Sequence, residues 1–299
     1  PRDPSPDGVV LAVVGDVTAG SRMHTLLQPD QTVRVFTGAA MPALADAVVP
    51  LAWTDNGETR VTINRRVNPG DFVRKVGDDV TPGDIAVRAG TIVGPAQVGL
   101  LAAVGRDKVL VHPRPRVSII SVGNELVDLD RIPGQGQVYD VASYALTAAA
   151  LEAGAEVHRV GIVSTEPRAF RELVETQLLR SEIVVIAGAV GGIASEHVRN
   201  VLADLGEVEV ERVAMHPGSV QGFGLLGADQ IPTFLVPSNA VSALLVFELM
   251  VRPMIRIAFC KRHPMRRIIR ARTIIPVTSM KGRAGFLCAQ FLRDDAPGE

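Results

Sequence analysis

Apolar and polar positions divide this chain into two textures. Up to about Val111 the apolar runs are short and are broken by Gly, Pro, Asp and Asn, as at residues 9–14 and 31–35. Asp55-Asn56-Gly57 and Asn68-Pro69-Gly70-Asp71 are turn signals, because those residues tolerate or preset turn dihedrals. No long helical periodicity is visible there, so the region reads as β-rich. From Arg116 onward short apolar runs alternate with helical stripes. Val117-Ser118-Ile119-Ile120-Ser121 predicts a strand, and residues 143–153 predict a helix closed by Gly154. Val160-Gly161-Ile162-Val163 is the next strand. Ser164-Thr165-Glu166-Pro167 then has the hydroxyl, early acid and early Pro of a helix start. Phe170, Leu173, Val174 and Leu178 lie on one face of that helix. A fully apolar strand at 183–186 precedes a second stripe, Val198, Val201, Leu202 and Leu205, ended by Gly206. Strands at 208–213 and 233–236 follow, then a helix from Val241 to about Val251, stopped by Pro253.

Strands of four to six residues alternating with helices imply βαβ units and a largely parallel sheet buried on both faces. In such sheets ligands sit at the carboxyl ends of the strands. The loops expected there are residues 121–126, 187–195, 215–221 and 237–240, each leading into a helix. Beyond Pro253 the chain is basic, with Lys261, Arg262, Arg266, Arg267, Arg270 and Arg272. This segment reads as a solvated linker into a small β domain rather than an RNA patch. Thr273-Ile274-Ile275-Pro276-Val277 predicts a strand of that domain.

Composition narrows the classes. Of 299 residues, 47% are hydrophobic and 21% charged, which suits a chain with a real core. The formal net charge of -1 gives no global attraction to nucleic acid or anionic lipid. Only 4% of residues are aromatic, too few for single-strand stacking platforms. No apolar stretch is long enough for a membrane helix. Cys260 and Cys288 have no metal spacing and suit a reducing cytoplasm. The opening Pro1-Arg2-Asp3-Pro4 is neither a signal peptide nor an initiator Met, so a fragment is expected.

Several segments in order resemble the MoeA/gephyrin family of molybdenum-cofactor proteins. Thr37-Gly38-Ala39-Ala40-Met41-Pro42, followed by Ala45-Asp46-Ala47-Val48-Val49-Pro50, is similar to the family's TGAPLP…ADAVV run. Arg74-Lys75-Val76-Gly77-Asp78-Asp79 resembles RxxGED. Arg116 to Leu126 resembles RVAVLSTGDEL, and Gly136-Gln137-Val138-Tyr139-Asp140 resembles GQIYD. Val213-Ala214-Met215-His216-Pro217-Gly218 resembles VAMKPG, and Pro237-Ser238-Asn239-Ala240-Val241-Ser242-Ala243-Leu244 resembles PGNPVSAL. The resemblance implies an α/β fold: a three-layer molybdopterin-binding domain with a mostly parallel sheet, a β-rich subdomain and the start of a small C-terminal β-barrel. The corresponding division is 1–80 for the β-rich subdomain, 81–112 for a linking subdomain, 113–257 for the α/β domain and 258–299 for a partial C-terminal β domain. The divergent actinobacterial, gephyrin-like branch is the nearest match in its loop variants, and the segment with the family's SAMDGYA motif is absent.

The family inserts molybdate into adenylylated molybdopterin and releases AMP, with a divalent cation, Mg²⁺. So anionic a substrate calls for backbone N–H groups, cationic side chains and metal-holding carboxylates. By resemblance the binding residues are Ser121, Gly123, Asn124, Glu125, Asp140, Gly188, Gly191, Gly192, Ser195, His216, Pro217, Gly218, Ser219, Pro237, Ser238 and Asn239. Asp79 and Glu196 are the catalytic candidates, and Asp78, Asp79 and Glu125 the metal candidates. This chain departs from the family at several of these points. Ala194 stands where the glycine-rich loop carries an aspartate, leaving Glu196 as the nearby acid. His216 and Ser219 replace two lysines, Asn124 an aspartate, Ala142 an asparagine, Ser238 a glycine and Ala240 a proline. Losing one charged phosphate contact costs about 1.5–3 kcal/mol. Ser195 and Glu196 read equally as a helix start, Gly77-Asp78-Asp79 as a turn, and Asp140 and Asn239 as helix caps.

Two functions compete, and a third, molybdopterin binding or carriage without insertion, lies between them. One is the molybdenumtransferase, working by positioning and electrostatics without a covalent nucleophile, in the cytoplasm and as a homodimer. The other is a degenerate adaptor on the same scaffold, gripping a protein partner such as the division protein FtsZ. Fold alone does not separate them.

Overall fold

The strand at the centre of the fold, residues 183–190, is buried at every position, and it organises what surrounds it. The computed structural model describes residues 8–21, 26–191 and 194–290. It divides into two compact units, 1–109 and 110–299.

In the first unit β1 (Val9–Val17) lies between β2 (Gln31–Val35), parallel to it, and β3 (Arg60–Ile63), antiparallel. Most of the rest is turns, as the Gly, Pro and Asp spacing predicts. Asp55 Oδ1 accepts from Gly57 N (3.0 Å) and Thr62 N (2.9 Å), and closes the Asp55-Asn56-Gly57 turn. One feature differs from the sequence expectation: Pro95–Ala103 forms a helix, α1. Its start is marked by Pro95, with Gly94 N donating to Gln97 Oε1 at 3.1 Å. The helix buries no residue, so it lacks the apolar stripe by which helices are recognised.

The second unit contains β4 (Arg116–Val122), β5 (Leu126–Val127), β6 (Val138–Tyr139), α2 (Val141–Ala153), β7 (Glu156–Val163), α3 (Pro167–Leu178), β8 (Ile183–Val190), α4 (Ala194–Ala203), β9 (Gly206–Arg212), β10 (Met215–His216), β11 (Val220–Leu226), β12 (Ile231–Pro237), α5 (Ala240–Val246), α6 (Arg252–Ala258) and β13 (Ala284–Gly285). Six strands form one sheet in the order β7-β4-β8-β12-β11-β9. The first four are mutually parallel, while β11 runs antiparallel to both β12 and β9. One face packs Ile119, Val185 and Val236 against Leu146, Phe247 and Ile255 of α2 and the α5–α6 helical segment. The other packs Ile120, Ile186 and Leu235 against Phe170, Val174, Val198 and Leu202 of α3 and α4. The expected three-layer α/β arrangement with a mostly parallel sheet is therefore present. Within the apolar interior Ser118 Oγ meets Gln177 Oε1 (3.0 Å) and Ser181 Oγ (2.7 Å), so these buried polar groups are satisfied.

Four local expectations are corrected. Strand β11 was not expected; its Gly222 and Gly224 disguise it as loop, yet all seven of its residues pair with β9. Residues 215–221 therefore join two antiparallel strands instead of leading into a helix. Pro253 does not stop the last helix. A π-helical stretch, Phe247–Val251, carries α5 into α6, and Pro253 sits in the first turn of α6, where an absent N–H costs little. The helix at 167–178 is capped by Glu166, whose carboxylate accepts from Arg168 N (3.1 Å) and Ala169 N (2.8 Å), rather than by Ser164 or Thr165. Finally, residues 273–277 form no strand. Among the described residues after Ala258 the one strand is β13, so the start of a C-terminal barrel is not seen. The basic segment is tied down instead of merely solvated: Arg266 pairs with Glu248 (2.9 Å) and Glu152 (2.9 Å), and Arg252 donates to Pro264 O. No helix is long and apolar enough to cross a membrane among the described residues.

Candidate functional site

At the carboxyl end of β4 a cleft of about 400 Å³ opens. Its lining comes from the turn after β4 (Ser121, Val122, Glu125, Leu126), from β6 and the start of α2 (Val138, Tyr139, Asp140, Val141, Ala142), from Ala187 on β8, and from the β12–α5 turn (Ser238, Asn239, Ala240). Each of these loops follows a parallel strand, which is why they meet.

Asp140 is the buried centre of the site, 1% exposed. As the cap of α2 it accepts from Ser143 N (3.0 Å) and Ser143 Oγ (2.5 Å), and it also accepts from Ser121 Oγ (2.9 Å). These three donors, with Arg159 Nη1 4.0 Å from Oδ2, fix the carboxylate in place, so it shapes the floor of the cleft. Asn239 caps α5 through Oδ1, which accepts from Ser242 N at 3.1 Å. Its amide nitrogen is left for the cleft. Glu125 is exposed, and its carboxylate sits over Gly123, where an added Cβ would lie 2.8 Å from Oε2. Asn124 faces the other way and accepts from Thr165 Oγ1 (3.2 Å).

The cleft thus gathers Ser121, Glu125, Asp140, Ser238 and Asn239 from the expected set, with Gly123, Asn124 and Pro237 adjoining in sequence. The other candidates stand apart from its lining. Gly188 has φ +85°, and a Cβ there would lie 2.0 Å from Val122 O, so this glycine serves the β4–β8 contact. Gly191 follows β8 and is exposed, while Gly192 lies outside the described residues. Ser195 and Glu196 form the first turn of α4, which is where an acid suits the helix dipole. The His216-Pro217 bond is cis, and His216 belongs to β10, which pairs with β13. Gly218, at φ +81°, packs on α5; an added Cβ would lie 2.9 Å from Val246 Cγ2. Ser219 accepts through its carbonyl from Val213 N (2.7 Å). Asp78 and Asp79 belong to the first unit, both exposed. Asp78 accepts from Lys75 N (2.7 Å) and Asp79 pairs with Arg74, the arrangement of a turn.

Among the described residues no group of three or more His, Cys, Asp or Glu side chains could hold a metal, and Glu125 is the one carboxylate of the cleft free of a capping role. Sequence reasoning also missed a cluster behind the cleft wall: Asp128, Tyr144 and Arg159. Asp128 accepts from the Tyr144 hydroxyl (2.6 Å) and from Arg159 Nη2 (3.0 Å), which hold its carboxyl down at about 2. A signal existed, since Arg159 is a cation directly before the apolar second half of a strand, Val160-Gly161-Ile162-Val163.

Comparison with known proteins identifies the scaffold. Residues 4–105 match the MoeA N-terminal region (domain I and II), and residues 118–257 match a probable molybdopterin binding domain. Over 293 residues the chain is 64% identical to molybdopterin molybdenumtransferase 1 of Mycobacterium tuberculosis, covering 98% of this chain and 69% of that protein. The chain belongs to the MoeA family. It is 35% identical to molybdopterin molybdenumtransferase 2 of the same organism, covering 93% of this chain and 70% of that one. Among solved structures, the molybdopterin biosynthesis MoeA protein from Pyrococcus horikosii superposes with a TM-score of 0.67 at 32% identity, over 85% of this chain and 63% of that one. Every lining residue of the cleft falls inside the molybdopterin-binding match. The expected resemblance to MoeA proteins and to molybdenum cofactor biosynthesis therefore stands. These relatives are named as transferases or MoeA proteins, and none of their names supports the adaptor reading with FtsZ.

Proposed function

We propose that this protein acts in the transferase step of molybdenum cofactor biosynthesis. Its cleft binds adenylylated molybdopterin, and the reaction exchanges AMP for molybdate. The observation that carries this reading is the convergence of Ser121, Glu125, Asp140 and Asn239 on one cleft inside the segment matched as a molybdopterin-binding domain. The chemistry available is positioning. The first turns of α2 and α5 present N–H groups at the cleft, the Asn239 amide offers two donors, and the apolar rim of Leu126, Val138 and Tyr139 excludes water from one side of a ring. No nucleophile or proton carrier is required of these residues. A homodimer in the cytoplasm accompanies this reading by family resemblance, and any divalent ion travels with the substrate's phosphates.

Calorimetric titration of the purified chain with adenylylated molybdopterin, followed by AMP release on addition of molybdate, tests the reading. Saturable binding that weakens about tenfold in Asn239→Ala is expected, the scale of one lost polar contact. Absence of saturable binding at millimolar ligand would sink it.

A further inference from the structure

The cleft wall bearing Glu125, Leu126, Val138 and Tyr139 is not part of the six-stranded sheet. It is the ribbon β5–β6, two residues per strand, held by Val138 N to Glu125 O (2.8 Å) and Asp140 N to Val127 O (2.9 Å). A ribbon so short has little stability of its own.

Its anchor is Asp128, the residue directly after β5. Oδ1 takes the Tyr144 hydroxyl from α2 at 2.6 Å, and Oδ2 takes Arg159 Nη2 from β7 at 3.0 Å. Arg159 is engaged on its face as well as its edge. Its guanidinium lies 4.0 Å from the Tyr144 ring centroid, and Nη1 donates to Ser143 Oγ (3.1 Å). Ser143 Oγ in turn donates to Asp140 on the cleft floor (2.5 Å). A planar, multidentate cation is suited to so many simultaneous contacts. The backbone prepares this. The β4–β7 pairing shifts register between Ile119/Arg159 and Ile120/Gly161, leaving Val160 as an extra residue, and such bulges re-aim neighbouring side chains. Gly161 beside it, at φ +82°, leaves room for the guanidinium, whose Nη1 would lie 3.3 Å from a Cβ there.

We propose that Asp128, Arg159 and Tyr144 are positioning residues, a clamp that holds the β5–β6 ribbon against the domain and so fixes the movable wall of the ligand cleft. Its effect on ligand rests on the functional reading above; its effect on the ribbon does not. The ribbon depends on the clamp more than on its short backbone ladder, because two donors from separate elements converge on one carboxylate.

The test is amide hydrogen exchange at Val138 and Asp140 in the unliganded chain, with β8 amides as the control for global folding, paired with calorimetric affinity for adenylylated molybdopterin. Asp128→Ala and Arg159→Met should each speed exchange at the two ribbon amides about tenfold while β8 is unchanged, and weaken the ligand by a similar factor. Arg159→Lys, which keeps the charge without the fork, should recover part of both effects, a rescue that simple loss of packing would not give. Exchange at Val138 and Asp140 that stays at the parent rate in Asp128→Ala overturns the clamp. Faster ribbon exchange with unchanged affinity overturns the positioning role. A parent chain that binds no ligand, with the exchange contrast intact, removes the functional reading and supports the clamp.

Discussion

The connections after β4 and after β9 both lie at the carboxyl edge of the sheet, yet they do different things. The first leads through the β5–β6 ribbon into α2, and its polar residues point into the cleft. The second is a turn between antiparallel strands that lines no part of the cleft: Gly218 packs on Val246 and His216 is in a strand paired with β13. The resemblance spans both loops, and this chain departs from it both at the cleft and away from it: Ala142, Ser238 and Ala240 line the cleft, whereas His216 and Ser219 do not. Of the retained groups, Ser121, Asp140 and Asn239 also carry structural duties as caps or partners of caps. Residues with two duties are hard to replace, whereas a lysine whose one task is to meet a phosphate is lost without harm to the fold.

The sharpest break of this contrast is Asp140→Ala. It would strand Ser121 Oγ and Ser143 Oγ and uncap α2, so unfolding by urea should show a loss of about 3 kcal/mol, with ligand affinity lost as well. Asp140→Asn should recover a part of the stability, since asparagine also caps. Next comes Gly218→Ala. The left-handed backbone and the close Val246 contact should cost about 2 kcal/mol in the same measurement, while affinity stays within about twofold of the parent. Equal losses of affinity in the two variants would erase the distinction between the loops. The smallest effect is in acid. Asp128 is held at about 2, below its ordinary value, so the ribbon's anchorage is complete above about pH 4 and is lost as pH falls toward 2. Ribbon amides should lose exchange protection across that window in the parent chain and show no such dependence in Asp128→Asn.

The centre of the sheet was legible because β4, β8 and β12 are mostly apolar. Residues 183–186 and 117–121 announce double burial, and the helix stripes at Phe170, Val174, Val198 and Leu202 point at the second core. What stayed hidden had no periodic signature. The glycines of β11 conceal a strand, the almost wholly apolar and small residues of α1 leave no polar face to set off a stripe, and Pro253 mimics a stop because a π-helical stretch beforehand is invisible in composition. The caps were visible at Asp140 and Asn239, since a side-chain oxygen before a helix has one local use. Convergence was not. That Ser121 reaches Asp140 across 19 positions while Ser195 and Glu196 stay on α4 depends on strand order, which no local pattern encodes. Arg159 was overlooked because its partners come from two other elements.

The pairing of β10 with β13 has a further consequence, in the order of assembly. Met215 meets Ala284 and His216 meets Gly285, a parallel match across 69 positions (284 − 215). Closing so long a loop for two residues of ladder yields little at first, so these contacts form after the sheet and helices that separate them. During synthesis from the N-terminus, strand β10 and the whole cleft exist before β13 has emerged. The β13 segment is therefore a latch fitted to an already folded sheet, and it opens under mild denaturant before the six-stranded sheet behind it.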